Sequence, residues 1–179
     1  MNKKKIIISI QENVKTILGA LIIAIIIRSL IFQPFYIPSS SMEPTLLVGD
    51  RIFVIKYVYG YSKHSFPFSP NFSNKRFMSN NPKQGDLVVF KTPADNRTDY
   101  IKRLIGLPGD EIQFINGDLF INGSKILREK SEIIEPIRCG NFTFDTITYT
   151  ETLPIGVKHL ATYNKAGSLQ NTKKYIVPP

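Results

Sequence analysis

The sequence predicts a mainly β domain carried on a single N-terminal transmembrane helix. One long apolar run near the N-terminus predicts the helix. A series of short, alternating runs rich in aromatic and β-branched residues predicts the strands, and Gly-Asp and Asn-Gly dipeptides mark where they turn.

The apolar run, residues 17–35, reads ILGALIIAIIIRSLIFQPF and has Arg28 as its only charge. Its length is about that needed to cross a bilayer. No Ala-x-Ala pattern follows it, so an uncleaved anchor over 16–35 is expected rather than a removed secretory signal. Arg28 falls in the last third, where its long side chain reaches the interface. Lys3, Lys4, Lys5 and Lys15 precede the span, which by the positive-inside rule puts 1–15 in the cytoplasm and everything after Pro34 outside. Ile6 to Ile10 form a second apolar patch, too short to span and followed by Gln11-Glu12-Asn13. A buried core helix is the alternative, but a single uncapped run this apolar is rare in soluble domains.

Beyond the anchor the pattern is β. Asp50–Tyr59 (DRIFVIKYVY), Asp86–Lys91 (DLVVFK) and Tyr100–Gly106 (YIKRLIG) read as strands. Glu111–Asn122 (EIQFINGDLFIN) is two alternating runs around Asn116-Gly117, which predicts a hairpin on a type I′ turn. Gly-Asp recurs at Gly49-Asp50, Gly85-Asp86 and Gly109-Asp110, each beside such a run. This is turn chemistry, with Gly supplying a positive φ and Asp a local hydrogen bond. Tyr61 to Lys83, rich in Ser, Asn, Pro and Phe, predicts a long loop, and Ser131 to Lys174 a weakly patterned β excursion. No solenoid repeat is visible.

With 179 residues, 23 Lys plus Arg and 14 Asp plus Glu, the chain has room for one domain and is strongly basic. Its only tight basic run is Lys3-Lys4-Lys5, ahead of an apolar segment, so a membrane surface fits better than nucleic acid. The lone Cys139 excludes an intramolecular disulfide, and with His64 and His159 it leaves no zinc set. Chemistry must come from hydroxyls, amines and carboxylates, without metal or cofactor.

Just past the anchor stands IPSSSMEPT (Ile37–Thr45), a spacer or a nucleophile. A serine nucleophile needs a base within hydrogen-bond reach. His64 lies in a polar loop and His159 in the weakly patterned stretch, so neither makes a convincing triad. A lysine serves if desolvation lowers its pKa. In the strand through Asp99–Gly106, Tyr100, Lys102 and Leu104 share one face and Ile101 and Arg103 the other, which leaves Lys102 the charge on an apolar face. An amphipathic surface lysine would give the same pattern, and the pattern leaves both open.

The stretches FYIPSSSMEPTLLVGDRIFVIKYVYG (Phe35–Gly60), QGDLVVFKTP (Gln84–Pro93) and DYIKRLIGLPGD (Asp99–Asp110) resemble, in order, three conserved boxes of bacterial type I signal peptidases. The likeness runs from the anchor to Asn122. It implies a signal-peptidase/LexA-like β domain over 36–179 and a membrane-anchored serine protease with a Ser/Lys dyad. It implies Ser41 as nucleophile, Lys102 as general base, and an oxyanion hole from the Ser41 N–H and the Ser39 hydroxyl. Ser40 stands where most relatives have Gly and is given no role. Phe35, Ile37, Pro38, Met42, Leu46, Tyr100 and Ile101 are implied to line shallow substrate pockets. The implied partners are signal peptides of exported preproteins and membrane lipid, and the implied location is the bacterial cytoplasmic membrane, with the catalytic domain on its outer side.

In that family a Val-Pro stretch like that of Lys174-Tyr-Ile-Val-Pro-Pro179 leads to a Gly-Asp-Asn-Arg-Asp-Asn-Ser box that steadies the lysine. The box is absent from these 179 residues, so the expectation is a β domain incomplete at its C-terminus, with an impaired dyad as the alternative. A membrane-tethered β binding module would need no dyad. A soluble Ser/Lys self-cleaving regulator would share the chemistry, but the anchor argues against it.

Overall fold

The computed structural model describes residues 3–67, 69–70, 75–132, 137–139, 142–164 and 170–179. One helix, α1 (Lys3–Leu30), is followed by strands β1 (Phe32–Tyr36), β2 (Arg51–Ile55), β3 (Leu87–Lys91), β4 (Asp99–Arg103), β5 (Glu111–Ile115), β6 (Asp118–Ile121) and β7 (Ser124–Lys125). β8 (Leu127–Lys130), β9 (Ile137–Cys139), β10 (Phe142–Phe144), β11 (Thr146–Thr152), β12 (Lys158–Asn164) and β13 (Tyr175–Ile176) complete the order. The chain divides into two compact units, Met1–Phe35 with Ile52–Asn81 and Tyr36–Arg51 with Pro82–Pro179.

In the first unit α1 is continuous, and the polar Gln11-Glu12-Asn13 does not interrupt it. Its Ile8–Leu30 segment is 23 residues with mean hydropathy 1.8, long and apolar enough to cross a membrane, and almost none of it is buried within the fold. Ile17, Leu18, Leu21, Ile22, Ile25 and Ile26 are all exposed. Apolar side chains exposed around the whole helix suit lipid rather than water. The helix stops at Leu30, short of the expected boundary at residue 35. Phe32–Tyr36 pairs with β2 instead, and Pro34, which cannot donate to a helix, lies in that strand. The Phe32 and Phe53 rings meet edge to face, 5.3 Å apart. Between Tyr61 and Lys83 the described residues hold a 3-10 turn (Lys63–Ser65) and a single bridge, Tyr61 to Phe77, as the loop expectation has it.

The second unit is antiparallel β. β3 and β4 pair from Leu87 opposite Arg103 to Lys91 opposite Asp99. β5, β6, β7 and β13 form one sheet in the order β13-β5-β6-β7, and β12-β11-β8 forms another. The β5–β6 hairpin turns on Asn116 and Gly117 at φ 51° and 79°, the two positive values that a type I′ turn requires. Leu119, Ile121, Ile126 and Leu153 form the core, with Ile105, Ile112 and Phe114 packed on it.

The three Gly-Asp dipeptides build one turn three times. Gly49, Gly85 and Gly109 have φ 101°, 93° and 89°. In each turn the aspartate accepts a hydrogen bond from the backbone N–H three residues earlier: Asp50 from Leu47 (2.8 Å), Asp86 from Lys83 (2.8 Å) and Asp110 from Leu107 (2.7 Å). The bond from the Leu107 N–H holds the Asp110 carboxyl below its ordinary pKa, with a further bond from the Asn122 side chain adding to the effect. A positive φ at the third turn position, with Gly to adopt it, is the type II pattern.

The Ser131–Lys174 stretch is more regular than its sequence. β11 pairs with β12 over seven residues, Thr146 opposite Asn164 through Thr152 opposite Lys158. Its pattern is faint because the buried positions of TITYTET are Thr146, Thr148 and Glu151, polar residues that break the usual alternation.

Candidate active site

Ser41 lies in a 3-10 turn, Ser40–Met42, inside a loop that its own ends close. The Ile37 N–H donates to the Asp50 carbonyl and the Gly49 N–H to the Ile37 carbonyl, both at 2.9 Å. The Gly49-Asp50 turn is therefore the clasp of the serine loop. Within it the Glu43 N–H bonds the Ser40 carbonyl and the Leu46 N–H the Met42 carbonyl, each at 3.0 Å. Ile37 and Met42 are buried at 2% and 8% exposure, and Ser40 at 5%, while Ser39 and Ser41 stay exposed. The alternation buries the side chains that anchor the loop and leaves two hydroxyls in the open.

β4 brings the base. Lys102 Nζ donates a hydrogen bond to Ser41 Oγ, across 61 residues of sequence. Cross-strand partners share a face, so Val88 lies opposite Lys102 and Phe90 opposite Tyr100. The Phe90 and Tyr100 rings meet edge to face at 6.2 Å, and the ammonium lies 5.9 Å from the Tyr100 ring centre. This apolar setting desolvates the amine and lowers its pKa below the ordinary lysine value. Ser39 Oγ is 3.4 Å from Ser41 Oγ. Two hydroxyls and a destabilised ammonium thus converge at one point, the arrangement that activates an alcohol without histidine. The histidines have other partners: His64 Nδ1 meets Ser69 Oγ at 3.2 Å, and His159 Nε2 meets Glu151 at 3.4 Å.

The residues expected to line substrate pockets have different placements. Pro38 and Tyr100 are exposed and Leu46 and Ile101 half-buried; Ile37 and Met42 point into the fold as anchors of the loop. Phe35 is half-buried on β1, in the first unit.

Two features were not expected from sequence. Arg103, on the opposite face of β4 from Lys102, donates to the Gly85 carbonyl at 2.8 Å and to Thr45 Oγ1 at 3.4 Å. It ties β4 to the serine loop and to the second Gly-Asp turn. Its signal was present as the second cation of Lys102-Arg103, assigned to the opposite face without a partner. The other is β9, whose backbone comes within 8 Å of the Ser40–Met42 turn, Cα to Cα. Among the described residues no group of three or more His, Cys, Asp or Glu is placed to hold a metal ion.

A family model for signal peptidase, peptidase S26, matches residues 10–169. The chain belongs to this family. It is 42% identical over 151 residues to a signal peptidase I of Rickettsia typhi, covering 83% of this chain and 55% of that one. It is also 45% identical over 141 residues to a signal peptidase I of Rickettsia akari, covering 75% of this chain and 50% of that one. A signal peptidase I of Rickettsia bellii is 40% identical over 144 residues, 79% of this chain and 48% of that one. The chain spans about half the length of the curated relatives it matches. With the Ile8–Leu30 helix, membership of the signal peptidase family makes this a membrane-anchored protein.

Proposed function

We propose that this chain is a serine endopeptidase that cleaves signal peptides from exported preproteins, with Ser41 as nucleophile and Lys102 as general base. The observation that carries this reading is the hydrogen bond between Lys102 Nζ and Ser41 Oγ. With the amine neutral, the Ser41 hydroxyl donates along that same contact. As Oγ attacks the scissile carbonyl its proton passes to Nζ, and the new ammonium then protonates the leaving amine. Negative charge on the tetrahedral oxygen is met by the Ser41 N–H and the Ser39 hydroxyl. The ester left on Ser41 is hydrolysed by a water that gives its proton to the neutral Lys102.

Ser41 follows Leu30, the end of α1, by eleven residues of chain, and a signal peptide presents its cleavage site just outside the lipid. Pro38, Leu46, Tyr100 and Ile101 offer the apolar lining that small residues before that site require. Lys3, Lys4 and Lys5, ahead of the Ile8–Leu30 span, orient the N-terminus to the cytoplasm, so the β domain lies on the outer side of the cytoplasmic membrane.

The test is cleavage of a preprotein by the purified chain in detergent or lipid, with the product's N-terminus read by mass spectrometry. The expected result is one cut after a small-x-small motif, absent in Ser41→Ala. No cut with the unaltered chain, or the same cut with Ser41→Ala, would sink the reading.

A further inference from the structure

The β11–β12 hairpin supplies no group to the Ser41/Lys102 contact, yet its turn reaches the segment that holds Lys102. Residues 153–157 (LPIGV) close on themselves: the Leu153 N–H donates to the Val157 carbonyl at 2.9 Å and the Gly156 N–H to the Leu153 carbonyl at 2.8 Å. Leu153 is 1% exposed and packs in the core with Leu119, Ile121 and Ile126, which fixes one end of the turn in the fold. Val157, at the other end, lies against Gly85. A Cβ built on Gly85 would stand 2.9 Å from Val157 Cγ1 and 3.5 Å from Leu153 Cδ1, so these two side chains fill the space that a side chain at 85 would need.

Gly85 is buried, and its backbone is bonded to the end of β4. Its N–H donates to the Leu104 carbonyl at 2.7 Å, and its carbonyl accepts from Arg103 Nη1 at 2.8 Å. On either side of it, Gln84 Nε2 donates to the Ile105 carbonyl at 2.7 Å, and the Asp86 carbonyl accepts from the Leu104 N–H at 2.8 Å. Arg103 Nη2 goes on to Thr45 Oγ1 in the serine loop. An unbroken line of contacts therefore runs from Val157 through Gly85 and Arg103 to the serine loop and to the strand of Lys102. Close-packed interiors pass a displacement on rather than absorb it, and a shift of about 1 Å between reacting groups is enough to cost roughly a hundredfold in rate.

We propose that Val157 is a positioning residue: the β11–β12 turn seats Gly85, and Gly85 sets Arg103 so that the serine loop and Lys102 stay in register. This rests on the reading of Ser41 and Lys102 as nucleophile and base. Because Val157 is 36% exposed, a purely structural role would cost a little stability and leave the dyad untouched.

The test is a double-mutant cycle on the full chain, with preprotein cleavage measured in detergent and rates referred to folded protein. Val157→Ala should lower kcat about fivefold with KM unchanged, and Val157→Thr, which keeps the branched shape, should recover most of that loss. The Val157→Ala/Arg103→Ala double variant should be no slower than Arg103→Ala, since both changes release the same contact. Losses that multiply, a normal kcat in Val157→Ala, or no recovery in Val157→Thr would overturn the proposal. Hydrogen exchange gives a reading that does not depend on turnover. In Val157→Ala the Gly85 amide and the Leu46 and Gly49 amides of the serine loop should exchange faster, whereas a change confined to Leu153 and Gly156 would overturn the proposal. Cleavage that survives Ser41→Ala would strike the dyad reading instead, and the exchange data would still decide whether Val157 reaches the serine loop.

Discussion

The second unit holds two clusters built from similar chemistry. In one, Lys102 meets Ser41 on an exposed loop, with Ser39 beside it. In the other, Glu151 is 2% exposed, accepts a hydrogen bond from the Tyr163 hydroxyl at 2.5 Å and faces His159, which is 9% exposed. The Arg128 guanidinium covers the Tyr149 ring at 4.6 Å and the Tyr163 ring at 5.6 Å. The buried cluster has its carboxylate engaged on both oxygens and sealed from water. The exposed one leaves its hydroxyls open to an incoming carbonyl. The two clusters therefore differ in what they suit: closure makes the buried one a brace between β11 and β12, and openness suits the exposed one to the reaction centre proposed above.

Exchanging one cluster's behaviour for the other's tests that contrast. The largest effect is expected at the dyad, where Ser41→Ala or Lys102→Ala should lower kcat/KM by about four orders of magnitude or more, with the melting temperature in detergent unchanged. Near-normal turnover by either variant would place the chemistry elsewhere. Glu151→Ala should do the reverse. It strands the Tyr163 hydroxyl and the His159 ring in the interior and should cost about 2–4 kcal/mol of stability by thermal unfolding, with turnover per folded molecule retained. A stable Glu151→Ala protein would show that the buried network is dispensable. Arg103→Ala should lower kcat/KM by about tenfold, because the serine loop is less firmly held to β4, with partial recovery in Arg103→Lys. An unchanged rate would confine Arg103 to packing.

The two clusters should also separate by pH. The base works only as the neutral amine, and desolvation lowers the Lys102 pKa, so activity should climb with pH through a midpoint below the ordinary lysine value of 10.5. A midpoint at or above that value would argue against a desolvated lysine base. At Tyr163, burial first, then the hydrogen bond to Glu151 and its charge, raise the phenol well above its ordinary 10.0. The unfolded chain ionises at that ordinary value and the fold does not. This contribution is therefore complete below about pH 10 and is lost as pH rises from there toward the folded value. The effect on stability should be the smallest of the set, read as a lower melting temperature above pH 10 that Tyr163→Phe abolishes.

Where the sequence was legible, the controlling interactions were local. Asn116-Gly117 and the three Gly-Asp turns are fixed by φ preferences and by bonds to the third residue back, so a dipeptide predicts them. The face of Lys102 followed from alternation. Which residues oppose it needed the β3–β4 register, and alternation cannot reveal that the turn of Gly85 would supply a carbonyl to Arg103. The β11–β12 pair escaped notice because its interior is threonine and glutamate, and a polar interior leaves no hydrophobic period to detect.

The sequence by itself determined that a long apolar helix precedes an antiparallel β domain, because helix length and strand alternation are properties of consecutive residues. Through its resemblance to the signal peptidase boxes it also singled out Ser41 and Lys102 as candidate nucleophile and base. Only the tertiary structure decided that they meet, since a contact across 61 residues depends on a loop clasped by Gly49-Asp50 and on strand pairing that places Lys102 over it. The same holds for the fate of the other reactive groups. Glu151, His159 and Tyr163 have no signature in the sequence, and it is burial between paired strands that makes them structural.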